Sequence, residues 1–404
     1  MIRSYIEEVP PPATTPKRAV AAALVAAACA CTRVVDVVDR PAIPRDPSRL
    51  TLAGQFSFPA LGRFPAVIGL PFGGISGLAA MAAGTEIFGI SDDNQGSRVY
   101  RFRLAGEDTS FRVERVGLIP LEAVLELPET DPESIVVLPS GNLLIASEGR
   151  GNIDPRVPPS LVEFDRYGKF IRRLPLPGRY EPNPTGPLVK GVRSNTGLES
   201  LTLAPGGRCL YTAVEAALAQ DGEPATFERG SPARILEYVR RNDSYGPARE
   251  FVYIVEPIDK PPFETRFPIN GLVELVALGS DELLAMERSF VLEAGGAGRS
   301  FNRIRVFRIG LAGATDVSSL DSLRDSPGYT PVTKRLVLDL SDLNGLDPDL
   351  APSLDNFEGL AFGPILRDGR PTLVVVSDDN FNPTQRTWFL QLAIGTEVPA
   401  QRIE

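Results

Sequence analysis

The chain has 404 residues, with 42 Lys+Arg against 51 Asp+Glu for a formal net charge of -9, no His and 3 Cys. Without imidazole there is no Ser-His-Asp or Cys-His catalysis and no His-ligated zinc, and three thiols do not complete a four-thiolate site. The acidic balance argues against a protein built to hold nucleic-acid phosphates, while 43% hydrophobic and 23% charged residues are the proportions of a folded chain with a sizeable core.

In chain order, the first feature is a leader. Lys17 and Arg18 precede an uncharged run, Ala19 to Ala30, of about twelve residues, short of the roughly 20 that a membrane-spanning helix needs. That pattern fits a secretory signal, and the small residues before Cys29 and Cys31 resemble a bacterial lipoprotein signal in which the Cys is lipidated. Residues 1–31 are read as this leader, 32–47 as a flexible linker rich in Asp, Arg and Pro, 48–395 as the folded domain and 396–404 as a tail. The expected location is outside the cytoplasm: periplasmic, secreted, or held at the membrane only through a lipid anchor. Cys209 then stands alone beside Leu210 and Tyr211, where a small buried hydrophobe is expected.

From about residue 48 the apolar residues alternate over short runs broken by Gly, Pro, Asn, Asp or Ser, an all-β pattern. Helical turns are expected only within 320–350 and 212–220. The runs repeat. Five units begin at Gly74–Leu78, Pro132–Ile135, Leu198–Leu201, Leu272–Leu275 and Phe357–Leu360. Each continues through a turn into a second strand that ends in a carboxylate: Asp92/Asp93, Glu148, Glu215, Glu287 and Asp378/Asp379. Third and fourth strands follow, as in Arg98–Leu104 with Phe111–Leu118. Repeats of four antiparallel strands predict a β-propeller of four-stranded blades. Five blades are legible and six remain open. The last unit lacks a fourth strand, which Leu50–Phe58 would supply, closing the ring and removing an exposed edge.

First strands line a propeller's channel, so equivalent residues near their starts converge. Aligning the units gives Ser76, Glu133, Glu199, Val273 and Glu358, with Glu274 one residue late. Converging carboxylates either hold protons or hold a cation, and an all-oxygen set favours Ca2+. Glu133, Glu199 and Glu358 are the leading ligand candidates, with Ser76 and Glu274 behind them. The second set adds Asp92, Glu148 and Asp378 as groups that would orient water, and Arg288 and Arg386 as partners for an anionic, phosphorylated substrate.

The segments Gly74-Ile-Ser-Gly-Leu, Asp131-Pro-Glu-Ser-Ile, Leu198-Glu-Ser-Leu, Glu287-Arg-Ser-Phe and Asn356-Phe-Glu-Gly-Leu, with Ser377-Asp-Asp-Asn-Phe and Gln385-Arg-Thr, carry a resemblance. The chain resembles the phytase-like family, also called the "esterase-like activity of phytase" domain, over about residues 50 to 395. The resemblance implies a β-propeller, usually exported in bacteria, whose Glu and Asp residues support phosphoester or ester hydrolysis. Val273 departs from the pattern, where a polar residue is usual. Ca2+-dependent phosphoester or ester hydrolysis is the expected activity. A sugar-lactone hydrolase, or a non-catalytic cell-envelope propeller with a structural Ca2+, are the alternatives. Gly295-Gly-Ala-Gly298 lacks the Lys-Ser pair of a phosphate loop and reads as a plain loop.

Overall fold

The computed structural model describes residues 50–59, 70–81, 84–93, 96–122, 131–295, 300–350 and 353–395. The leader, the linker, the tail and most of the Gly295–Gly298 loop lie outside the described residues. The chain enters with β1 (Leu50–Phe58). Blade 1 follows as β2 (Ile75–Ala80), β3 (Glu86–Ser91), β4 (Arg98–Ala105) and β5 (Arg112–Pro120). Blade 2 is β6 (Pro132–Val137), β7 (Leu143–Ser147), β8 (Ser160–Phe164) and β9 (Phe170–Leu174). Blade 3 is β10 (Leu198–Leu203), β11 (Cys209–Val214), β12 (Ser231–Arg241) and β13 (Ser244–Val255). Blade 4 is β14 (Thr265–Ala277), β15 (Glu282–Glu293), β16 (Ser300–Gly310) and β17 (Thr333–Asp339).

Blade 5 comprises β18 (Asn356–Phe362), β19 (Thr372–Asp378) and β20 (Thr387–Ile394), and its outer strand is β1. Leu50 pairs with Ile394 and Phe58 with Thr387, so the first described strand fastens onto the last. The propeller therefore has five blades and is closed by its N-terminal strand.

Burial explains how the sequence spells the blades. Second strands are covered on both faces and read as continuous apolar runs, as in Leu143–Ser147 and Thr372–Asp378, both buried throughout. Outer strands have one face in water and alternate, as in Arg112–Pro120. Apolar clusters fill the spaces between neighbouring blades. Blades 5 and 1 are joined by Phe58, Phe72, Phe102 and Phe389, whose rings meet edge-on at 4.9 Å between Phe58 and Phe72 and 5.2 Å between Phe102 and Phe389.

Among the described residues the helical structure is one 3-10 turn, Leu340–Asp342, inside the 320–350 segment. The 212–220 run holds the end of β11 and a turn instead, because Thr212 and Ala213 pair with Leu236 and Ile235 of β12. Cys209 opens β11 as a free, half-buried thiol packed against the core.

Candidate functional site

Every innermost strand carries a β-bulge at the same level. The ladder to the second strand skips one residue between Ile75 and Gly77, Pro132 and Ser134, Leu198 and Ser200, Leu272 and Glu274, and Phe357 and Gly359. The skipped residues are Ser76, Glu133, Glu199, Val273 and Glu358, the five that the repeat aligns. A bulged residue is freed from pairing and its strand bends, which re-aims the side chain. Ser76, Glu133, Glu199 and Glu358 line one cavity at the channel mouth. Val273 packs into the core beside Leu284 and Met286.

The second strands supply a second ring. The residues paired just before each bulge are Ser91, Ser147, Val214, Glu287 and Ser377. The next residue along is Asp92, Glu148, Glu215, Arg288 or Asp378, and all five line the same cavity. This corrects the expectation for blade 4, where the repeat puts Glu287 in the ring and the register puts Arg288. Glu287 points elsewhere: it accepts from Tyr253 Oη at 2.7 Å and Asn270 Nδ2 at 3.0 Å, and it ion-pairs with Lys334.

The cavity has a volume of about 800 Å3. Among the described residues, seven ring carboxylates, Glu133, Glu199, Glu358, Asp92, Glu148, Glu215 and Asp378, face the one lining guanidinium, that of Arg288. Arg288 Nη2 lies 2.8 Å from Glu358 Oε1 and 3.5 Å from Glu215 Oε1. Burial works against its charge, but Glu358 and Glu215 outweigh it and hold the guanidinium firmly protonated. The carboxyls are pushed the other way. Burial, with the charges of Glu358 and Asp131, raises Asp92 to about 8. Burial raises Glu148 to about 8 against a hydrogen bond from Gly197 N, and Glu215 to about 7 against the pull of Arg288. Glu133, Glu199 and Asp378 lie well above the usual carboxylate range, first from enclosure by protein and then from neighbouring acids.

Asp131, which the sequence reading left out of the donor set, joins the site. Among the described residues, one carboxylate oxygen from each of Asp131, Glu133 and Glu148 lies within 4.8 Å of the other two. It was missed because its register equivalents are Gly74, Gly197, Gly271 and Asn356, so no acid repeats there. The donor set suits a hard cation: it is all oxygen, and the buried Asp92 Oδ1 and Ser76 Oγ have no hydrogen-bond partner among the described residues. Gly197 lets Glu148 in close. Its N donates to Glu148 Oε2 at 3.1 Å, and a Cβ there would stand 2.3 Å from the Glu148 carbonyl oxygen.

Two expected residues sit away from the cavity wall. Arg386 is at the outer rim, its Nη1 3.3 Å from Asp349 Oδ2 and its guanidinium 5.9 Å from the Trp388 ring centre. Glu274 lies beneath the rings, where its carboxylate accepts from Leu275 N at 3.0 Å, Leu201 N at 3.3 Å and Ser134 Oγ at 3.1 Å. It thus spans the channel from blade 4 to blades 2 and 3. The equivalent residues are Gly77, Ser134, Ser200 and Gly359, small enough to leave that space. On its far side a separate pocket of about 40 Å3 is lined by apolar residues of the inner strands, including Leu78, Ile135 and Leu360.

Comparison with known families places this double ring. The family described as phytase-like, "esterase-like activity of phytase", matches residues 70–381. The chain belongs to the phytase-like family. The matched span contains both rings and the bulge of every blade. A curated relative named "Uncharacterized secreted protein", from Arthroderma benhamiae, is 27% identical over 124 residues, covering 26% of this chain and 24% of the relative. Among solved structures, the catalytic domain of a GH62 alpha-L-arabinofuranosidase from Coprinopsis cinerea aligns with TM-score 0.37 and 11% identity, over 86% of this chain and 98% of that one. The PQQ-bound aldose sugar dehydrogenase of Streptomyces coelicolor aligns with TM-score 0.31 and 13% identity, over 82% and 83%.

Proposed function

We propose that this phytase-like propeller is an exported, Ca2+-dependent hydrolase of phosphoesters or carboxylic esters. The observation that carries the reading is the oxygen cluster of Asp131, Glu133 and Glu148 inside a cavity that also holds the unpartnered Asp92 Oδ1 and Ser76 Oγ. Those three acids would hold the cation, with Glu199 and Ser76 next to them. Glu358 is committed to Arg288. A bound Ca2+ would polarise the phosphoryl or carbonyl oxygen.

The remaining chemistry belongs to the chain. Asp378 is pushed toward its protonated form by burial and then by the charge of Asp92, so of these two acids one would serve ionised and the other protonated. The ionised member takes a proton from water as the water attacks, and the protonated member gives one to the leaving oxygen. Arg288, held between Glu358 and Glu215, keeps part of the ring ionised and presents its buried Nε, which has no hydrogen-bond partner among the described residues. Arg386 and Asn380 would receive the outer part of a substrate at the rim. Export rests on the leader reading together with the secreted relative.

The test is a panel of phytate, phosphomonoesters, phosphodiesters, carboxylic esters and lactones, assayed with Ca2+ and with chelator. Hydrolysis of at least one class should need Ca2+ and fall on the order of 100-fold in Glu133→Gln and in Asp92→Asn. Inactivity toward every class, with Ca2+ still raising the melting temperature, would make the protein a binding propeller.

A further inference from the structure

Blade 4 departs from the other four at the mouth of the cavity. In blades 1, 2, 3 and 5 the first two strands start and stop at ring level. In blade 4, β14 begins at Thr265, well before the bulge at Val273, and β15 runs past Arg288 to Glu293. At about 3.3 Å per residue this raises a wall on the order of 20 Å above the acids. β16 completes it, with Ile269 opposite Phe290 opposite Asn302 in one cross-strand row, and Leu292 opposite Ser300 in the next row on the same face.

The wall is apolar and belongs to the same cavity. Ile269, Phe290 and Leu292 line it with Leu350, Leu354 and Trp388, above the ring acids at its floor. Ile269 is 40% exposed, a hydrocarbon surface left facing the cavity water. Asn302 lies in the same row as Ile269 and Phe290. Its Nδ2 donates to Leu354 O at 3.0 Å, and its buried Oδ1 has no partner among the described residues.

We infer that this wall is a subsite for hydrocarbon, so the ligand is amphiphilic: an ester or phosphoester head among the acids and an alkyl or acyl chain along blade 4. The inference rests on the hydrolase reading for the placement of the head. A fully polar polyphosphate would leave the wall wet, whereas each methylene laid on it is removed from water. A volume of about 800 Å3 lies in the range of small-molecule sites. Asn302 Oδ1 would accept from a ligand hydroxyl between head and chain.

Trp388 is the chain's single Trp and lines the cavity, so its emission reports occupancy. The experiment titrates full-length protein in Ca2+ with methyl-, butyl- and octylphosphonate, and in parallel with uncharged N-alkylacetamides of the same lengths. Affinity should rise about twofold to fourfold per methylene. In Phe290→Ser and Ile269→Ser the ratio of octyl to methyl affinity should collapse toward one. Ile269→Ser, at a partly exposed position, decides alone if Phe290→Ser does not fold. Phosphonates that bind with no dependence on length overturn the wall. Acetamides graded by length, with phosphonates silent, support the wall and overturn the placement of an anionic head. Silence from both series overturns the wall as well.

Discussion

Arg288 is the one cation among the described residues that line the cavity, and it occupies the ring position that is a carboxylate in the other four blades. Removing it leaves Glu358 and Glu215 without their counter-charge. Arg288→Gln should destabilise the metal-free protein at pH 8 by about 3–5 kcal/mol, the usual cost of breaking a buried pair from one side. The loss should shrink below about pH 6, where the ring takes up a proton instead, and paired urea melts at the two pH values would check it. The acids make the opposite prediction about pH. Asp92 is raised from 3.8 to about 8, Glu148 from 4.5 to about 8 and Glu215 from 4.5 to about 7. Each folded-state value lies above the unfolded one, so the stability these protons confer is complete below about pH 4 and is lost as pH rises through 7 to 8. Metal-free melting temperatures should therefore fall across that window. If the proposed Ca2+ site is the ring, Ca2+ should reverse the fall, because it would take the place of the protons, and its stabilising effect should grow with pH, reaching about 2.7 kcal/mol at a hundredfold excess over its dissociation constant. A Ca2+ effect that is flat from pH 5 to 8.5 would contradict the ring as its site.

The bulge is the element that makes a site out of a repeat. It adds one residue at the same level of every inner strand, and the strand beyond it resumes its buried pattern. Close approach between neighbouring blades then brings the rings together, as at Gly197. Gly197→Ala should cost about 1–3 kcal/mol, because its Cβ would press on Glu148 backbone that has no room to yield. Thermal melts would measure this, and a second site change that shortened Glu148 should not rescue it. The sequence shows the bulge ring clearly, because Ser76, Glu133, Glu199, Val273 and Glu358 each precede a short apolar run by the same offset. Blade 4's second ring position is hidden for a physical reason. Strand β15 continues through the ring level to Glu293, so no turn residue marks where the channel ends. The first acid met, Glu287, looks like the cap and is one residue early. The overhanging wall is hidden for the same reason: alternation announces a longer strand but gives no level for the mouth. Asp131 stayed out because nothing at its level repeats.

At the scale of the whole molecule, the ring is held shut by β1. Removing residues before 60 would expose β20 as a long unpaired edge and strip Phe58 from the aromatic contact between blades 5 and 1. The shortened chain should lose its single cooperative melt and aggregate, as light scattering during a thermal ramp would record. Closure by Leu50–Phe58 is legible in the sequence because the last repeat is one strand short and only one unassigned strand precedes the first. Glu274 has a different consequence. Since it bridges the channel between the acid cavity and the small apolar pocket, the tunnel is a cul-de-sac. A molecule that reaches the rings must back out through the opening it entered. Polymers cannot thread through, so a polymeric ester would be attacked from its ends. An anionic product held by a cation at the rings would stand in the doorway of the next substrate, which would make departure, and not bond cleavage, the bottleneck of such a cup.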